Sequence, residues 1–256
     1  MAVQPGQAAY SHVQRLRRVC CGSLQGPGPS KELLTFNAAA ANHRTSLINT
    51  TQAIRWVGKP VTFIACLVPT AILVAELFGY GGGLGANPIE EIQDRFGNWT
   101  LRMLVITLAI TPMRHLTGRP WVLRFRRMFG LFAFYYALMH FLTWLVLDQD
   151  LNQQAIIEDI AERPFITIGF AAFLILSVLA ATSTAAMRRR LGRNWQRLHY
   201  GVYAAAILGT WHYWWQVKQD FTEPLIYAIL FALLFSFRWR SKTRKMAANQ
   251  PHGSSG

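Results

Sequence analysis

Hydrophobic and polar residues are segregated along this chain rather than interleaved. Six long apolar runs, over residues 61–80, 99–113, 128–147, 164–187, 198–217 and 224–237, are separated by short stretches that carry most of the charge. A helix rises 1.5 Å per residue, so about 20 residues cross a hydrocarbon core. The first, third, fourth and fifth runs reach that length alone. The second and sixth are shorter, and Arg102 interrupts the second near its start. Leu116, Phe221 and Trp239 extend them, because long and aromatic side chains tolerate the interface. The pattern predicts an all-α fold, a polytopic bundle of six transmembrane helices.

Composition and charge sharpen this picture. Apolar residues make up 52% of the chain and charged residues 15%, against about 25% charged in ordinary soluble domains. The net charge of +14 is gathered in short clusters rather than spread as a nucleic-acid footprint. Basic residues precede the first run (Arg44, Arg55, Lys59) and fill the second loop (Arg114, Arg119, Arg124, Arg126, Arg127). They recur in the fourth (Arg188, Arg189, Arg190, Arg193, Arg197) and after the sixth run (Arg238, Arg240, Lys242, Arg244, Lys245). The alternate loops are acidic, with Glu90, Glu91 and Asp94, then Asp148, Asp150, Glu158, Asp159 and Glu162, then Asp220 and Glu223. Cytoplasmic loops collect Lys and Arg, so both termini are expected in the cytoplasm, and only six spans keep every basic loop inside.

Residues 1–55, polar and punctuated by Gly26-Pro27-Gly28-Pro29, are expected to be a disordered cytoplasmic tail. Residues 56–240 form the membrane domain, and 241–256 a basic cytoplasmic tail. The first apolar run starts too far into the chain for a secretory signal and lacks a cleavage-like end, so it is expected to stay as an anchor.

Of the seven histidines, His12, His43 and His252 lie in tails and His115 in a basic loop. His140, His199 and His212 lie within apolar runs, where ionisable residues are rare and usually functional. Neutral imidazole ligates iron well and faces lipid poorly. With the third and fifth spans parallel, His140 and His212 sit at similar depth near the outer face and can ligate one haem iron from opposite sides. His199 precedes His212 by 13 residues, about 20 Å along a helix axis, which suits a second redox site near the inner face.

Helical spacing supports the outer pairing. Gly130, Ala133 and Ala137 share a face with His140, and Gly201, Ala205 and Gly209 share one with His212. Such stripes open a groove for a flat macrocycle, or serve close helix packing. The inner site is harder to complete, since Arg126 and Arg127 occupy the third-run positions a second axial ligand would need, and arginine stays protonated. His199 could therefore hold a second haem with another partner, contact a flavin or quinone, or cap packing. Cys20, Cys21 and Cys66 make no disulfide framework, and no C-x-x-C-H occurs, so haem would be non-covalent.

Other features fit the membrane frame. Phe134, Tyr135, Tyr136, Phe141, Trp144, Trp211, Tyr213, Trp214 and Trp215 form an interfacial aromatic belt or wall a haem edge. Arg126, Arg127 and Arg197 could meet haem propionates or a flavin phosphate, though positive-inside topology alone accounts for them. Gly81-Gly82-Gly83-Leu84-Gly85 follows a span rather than a strand and is no dinucleotide fingerprint.

At these residues the chain resembles a known family. The loop GGGLGANPIEEIQDRFG, the run RRMFGLFAFYYALMH and the stretch TSTAAMRRRLGRNWQRLHYGVY followed by HYWWQVK are similar to the MsrQ (YedZ) family. Its members are haem-binding membrane subunits of the bacterial protein-methionine-sulfoxide reductase system, within the ferric-reductase-like transmembrane group. The resemblance covers residues 56–240, and the family's motif histidines fall on His140, His199 and His212. It implies haem b, and FMN without assignable ligands, in the bacterial inner membrane. It further implies electrons drawn from the quinone pool or a cytoplasmic flavin reductase and delivered to a periplasmic molybdopterin subunit, MsrP. Larger ferric-reductase relatives carry a second third-helix histidine and a C-terminal flavin and nicotinamide domain, neither of which appears here.

Three functional classes follow. The first is a transmembrane electron-transfer subunit without substrate chemistry of its own. The second is a self-contained quinol- or metal-reducing cytochrome, an enzyme in its own right. The third is a transporter relaying protons through its histidines, against which stands the lack of internal repeats or broken paired helices.

Overall fold

A computed structural model describes residues 52–217 and 221–248. The expectations made for residues 1–51 and 249–256, including His12, His43 and His252, lie outside the described residues. The chain divides into two units, Met1–Gly58 and Lys59–Gly256. Of the first, the described residues 52–58 are helical and include a π turn, Ile54–Gly58.

In the second unit every regular element among the described residues is helical. These are α1 (Lys59–Leu77), α2 (Pro88–Thr117), α3 (Leu123–Thr143), α4 (Gln153–Glu162), α5 (Pro164–Ala181), α6 (Ala185–Leu191), α7 (Arg193–His199), α8 (Gly201–Gln216) and α9 (Thr222–Ala248). The all-α expectation is borne out. Ile54–Leu77, Pro120–Asp148, Pro164–Ala181 and Thr222–Ser241 are each long and apolar enough to cross a membrane. Their outward side chains, such as Ile64 and Ile72 on α1 and Ile229 and Leu233 on α9, are exposed, as a lipid-facing surface requires.

Five helices close a ring. Helix α2 packs most closely on α3 and α5 on α8; α3 touches α5, while α9 joins α8 back to α2. Leu104, Leu108, Tyr136, Ala133 and Ala206 are buried within it, and the alanines let the helix backbones approach. Helix α1 stands outside the ring against α3, with only Cys66 and Leu73 buried. Tyr136 Oη donates to the Cys66 carbonyl at 2.5 Å, one turn before Pro69, where the missing proline N–H weakens the helix ladder.

Several elements depart from the apolar runs. The second run lies inside a much longer helix that starts at Pro88, with proline in its first turn and Glu90 and Glu91 at the positive end of its dipole. The expected outer loop after the third span contains the amphipathic helix α4, capped by Asn152, whose Oδ1 accepts from the Gln154 N–H at 3.1 Å. The fourth run ends as a helix at Ala181, where the Thr182 hydroxyl donates back to the Val178 carbonyl at 2.7 Å. The fifth run is broken at Tyr200, so His199 ends α7 rather than opening the span. Helix α9 runs on to Ala248, past the end of its apolar stretch.

The C-terminal end of α1 and the N-terminal part of α2 are clipped together by charge. Arg95 pairs with Glu76 of α1 and with Glu91 one turn back in α2. Glu91 Oε2 also accepts the Gly85 N–H at 2.8 Å, tying down the glycine-rich loop.

Candidate haem cavity

Two of the three intramembrane histidines meet. His140 of α3 and His212 of α8 face one another with ring centres 6.1 Å apart and planes at 79°. Each is steered by a backbone carbonyl on a neighbouring helix. His140 Nδ1 lies 2.8 Å from the Gln93 carbonyl on α2, and His212 Nδ1 lies 2.7 Å from the Phe165 carbonyl on α5. A carbonyl can only accept, so each Nδ1 carries the proton and each neutral ring keeps a lone pair on Nε2. Such anchoring of the far nitrogen orients a metal-ligating histidine and fixes its tautomer.

Two glycines make room for the rings. A Cβ on Gly97 of α2 would lie 3.2 Å from His140 Cε1, and one on Gly169 of α5 would lie 2.7 Å from His212 Nδ1. Sequence reasoning missed both, because their role depends on which helix lies opposite.

Both histidines line a cavity of about 410 Å³ enclosed by α2, α3, α5 and α8, within the range of about 300–1,000 Å³ usual for small-molecule sites. Ala137, Ala205 and Gly209 line it, as the small-residue stripes anticipated, while Gly130 lines a second cavity instead. Phe141, Trp144, Tyr213 and Trp215 also wall the first cavity. Trp211 and Trp214 lie instead in a groove between α8 and α9.

The residues present fit a haem. A metal bound by one nitrogen from each of two imidazoles at about 2 Å sets the ring centres roughly 6 Å apart, which is the spacing observed. Two imidazoles are too few to hold a bare ion, and no group of three or more candidate ligands is gathered among the described residues. A metal that brings its own ring of ligands, in an apolar slot, matches the donor set.

His199 is elsewhere. It stacks on Trp195 at 3.9 Å, its Nδ1 is 3.1 Å from the Trp195 carbonyl, and its Nε2 is sealed without a partner. It lines a second cavity of about 320 Å³ with Arg126, Arg127, Arg188 and Arg238, and among the described residues no acidic side chain lines that space. Arg197, the other arginine singled out for an anion, does not line it. Leu104 and Leu176 line both cavities and form the partition between them.

Fold and site together define a class: a multi-pass helical membrane protein whose His140–His212 cavity is suited to an iron macrocycle. The ferric reductase like transmembrane component family matches residues 96–210. A protein-methionine-sulfoxide reductase heme-binding subunit MsrQ from Bordetella pertussis is 47% identical, covering 72% of this chain and 91% of that relative. The subunit of the same name from Ralstonia nicotianae is 49% identical, over 70% and 84%, and that from Xanthomonas axonopodis pv. citri 46%, over 75% and 88%. No solved structure matches. The chain belongs to the MsrQ family of haem-binding subunits.

Proposed function

We propose that this chain conducts electrons across a bacterial inner membrane to a methionine-sulfoxide reductase, with one b-type haem held between His140 and His212. The observation that carries this is the facing imidazole pair, 6.1 Å apart, each with its far nitrogen anchored to a carbonyl. When bound, the haem supplies an iron that cycles between two oxidation states. The protein's own part would be to fix both imidazole donors, to keep water from the macrocycle with Phe141, Phe173 and Leu176, and to add no substrate chemistry.

The proposed topology has six spans with both termini in the cytoplasm. The charge alternation of the loops supports it, and α2 and α8, which are too charged or too short to qualify alone, complete a ring with the apolar helices α3, α5 and α9, while α1 packs outside it. In this orientation the His140 cavity lies near the periplasmic face and the His199 cavity near the cytoplasmic one. His199, with its unpartnered Nε2 among four arginines, marks the side where electrons enter. It serves there as a contact for a flavin such as FMN or for a quinone, or as the ligand of a second haem. The shared partition of Leu104 and Leu176 supports transfer from the inner cavity to the outer one.

The names of the relatives place them in a protein-methionine-sulfoxide reductase system. The donor proposed here is the quinone pool or a cytoplasmic flavin reductase, and the acceptor is the periplasmic molybdopterin subunit MsrP. Membranes carrying this chain, with haem reduced by added quinol, test the proposal. Adding the molybdopterin subunit and methionine sulfoxide together is expected to reoxidise the haem, and neither alone should do so. Equally fast reoxidation without the subunit would assign the chain to a self-contained cytochrome.

A further inference from the structure

Trp144 is only 7% exposed and lines the His140–His212 cavity, yet its indole N–H is sealed from solvent without a hydrogen-bond partner among the described residues. An indole N–H can only donate, and buried donors are nearly always satisfied. Trp144 follows His140 by one helical turn and opens a π turn, Trp144–Asp148, a local distortion common at functional sites.

Arg163 lines the same cavity and is the only Lys or Arg to do so among the described residues; Glu90, Asp94 and Asp148 line it too. It directly precedes Pro164, the first residue of the 18-residue helix α5, so its guanidinium adds to the positive end of that helix dipole. Two residues further on, the Phe165 carbonyl anchors His212. Asp159 meets Arg163 only at the Nε edge, 3.1 Å away, so the two terminal amino groups remain to be used.

An apolar slot therefore has, beside its histidines, one sealed donor and one cation, with Glu90 and Asp94 of α2 and Asp148 at the end of the π turn as its acidic side chains among the described residues. We infer that the Trp144 N–H and the Arg163 guanidinium receive a carboxylate of the haem macrocycle at the N-terminus of α5. This rests on the haem reading of His140 and His212. Arginine's fork matches a carboxylate, and charge-assisted bonds of this kind are the strong ones, so the pair orients the macrocycle within the slot that the histidines define.

The full chain, produced without haem and titrated in detergent with haem b and with its dimethyl ester, tests this. The ester keeps iron and ring but lacks free carboxylates. Wild type is expected to prefer haem by at least about tenfold. Trp144→Phe and Arg163→Gln should each cut that preference several-fold, and the double variant should abolish it. Arg163→Lys should retain most of it, and ester binding, which reports folding, should hold throughout with an unchanged two-imidazole spectrum. Equal binding of the two macrocycles by wild type, or an undiminished preference in the double variant, overturns this inference alone. Failure of wild type to bind either macrocycle overturns the haem reading with it.

Discussion

The finest control over the cavity is exerted by side chains that are absent. Gly97 and Gly169 give the two imidazoles their space, and the margins differ: an added Cβ would sit 3.2 Å from His140 but 2.7 Å from His212. Gly169→Ala is expected to push His212 off the Phe165 carbonyl and to weaken haem binding by about 10- to 100-fold, the usual effect of losing an orienting partner. Gly97→Ala, with a few tenths of an ångström to find, should cost less. Haem-to-protein ratios after purification of both variants check the order, and equal, full occupancy would contradict it. The histidines themselves were legible in the sequence because imidazole is out of place in an apolar run. The glycines were not, since a glycine inside a helix announces only a loss of about 1 kcal/mol against alanine. The reason for bearing that loss lies on another helix.

At the scale of elements, the Arg95 clip between α1 and α2 is where pH should act. Glu91 lies well outside the apolar stretch of α2. Its carboxyl is held below the usual range, first by the Gly85 N–H and then by Arg95. A carboxyl depressed in the folded state contributes stability that is complete above its ordinary pKa and is lost as pH falls through the lowered one. Thermal unfolding in detergent between about pH 6 and about pH 3 should therefore show wild type losing stability on acidification. Glu91→Gln should lose less, and identical slopes would dismiss the clip. Periodicity located the apolar helices well but failed at their margins. Helix α4 hid in a loop because its short amphipathic pattern, around Ile156, Ile157 and Ile160, is outweighed by acids in a window long enough to find a span. The break at Tyr200 hid because Leu198, Tyr200 and Val202 continue an apolar run while the backbone turns, which moves His199 onto α7. The separation of about 20 Å expected between His199 and His212 spans an interruption at which Tyr200 keeps right-handed helical dihedrals, φ −68° and ψ −17°. Their assignment to separate cavities does not depend on it.

For the whole molecule, charge alternation carries the topology. Single cysteines placed at Glu158 and at Arg189, in a background with Cys20, Cys21 and Cys66 replaced, should react oppositely. A membrane-impermeant maleimide should label the first in intact cells and the second only after the inner membrane is opened. Reversal would overturn the proposed orientation and exchange the roles of the two cavities. The closed ring of α2, α3, α5, α8 and α9 was only partly readable, because helix order around a ring is set by packing between residues far apart in sequence. Parallel spans and matched depth still made the His140–His212 pair legible in the sequence. The most direct measurement of that pairing is the electron paramagnetic resonance spectrum of the oxidised, purified protein with single histidine substitutions. Wild type and His199→Ala are expected to show the low-spin signal of iron between two imidazoles, and His140→Ala and His212→Ala each to lose it together with most of the bound haem. Full haem content with an unchanged low-spin signal in either of the latter variants would contradict the assignment.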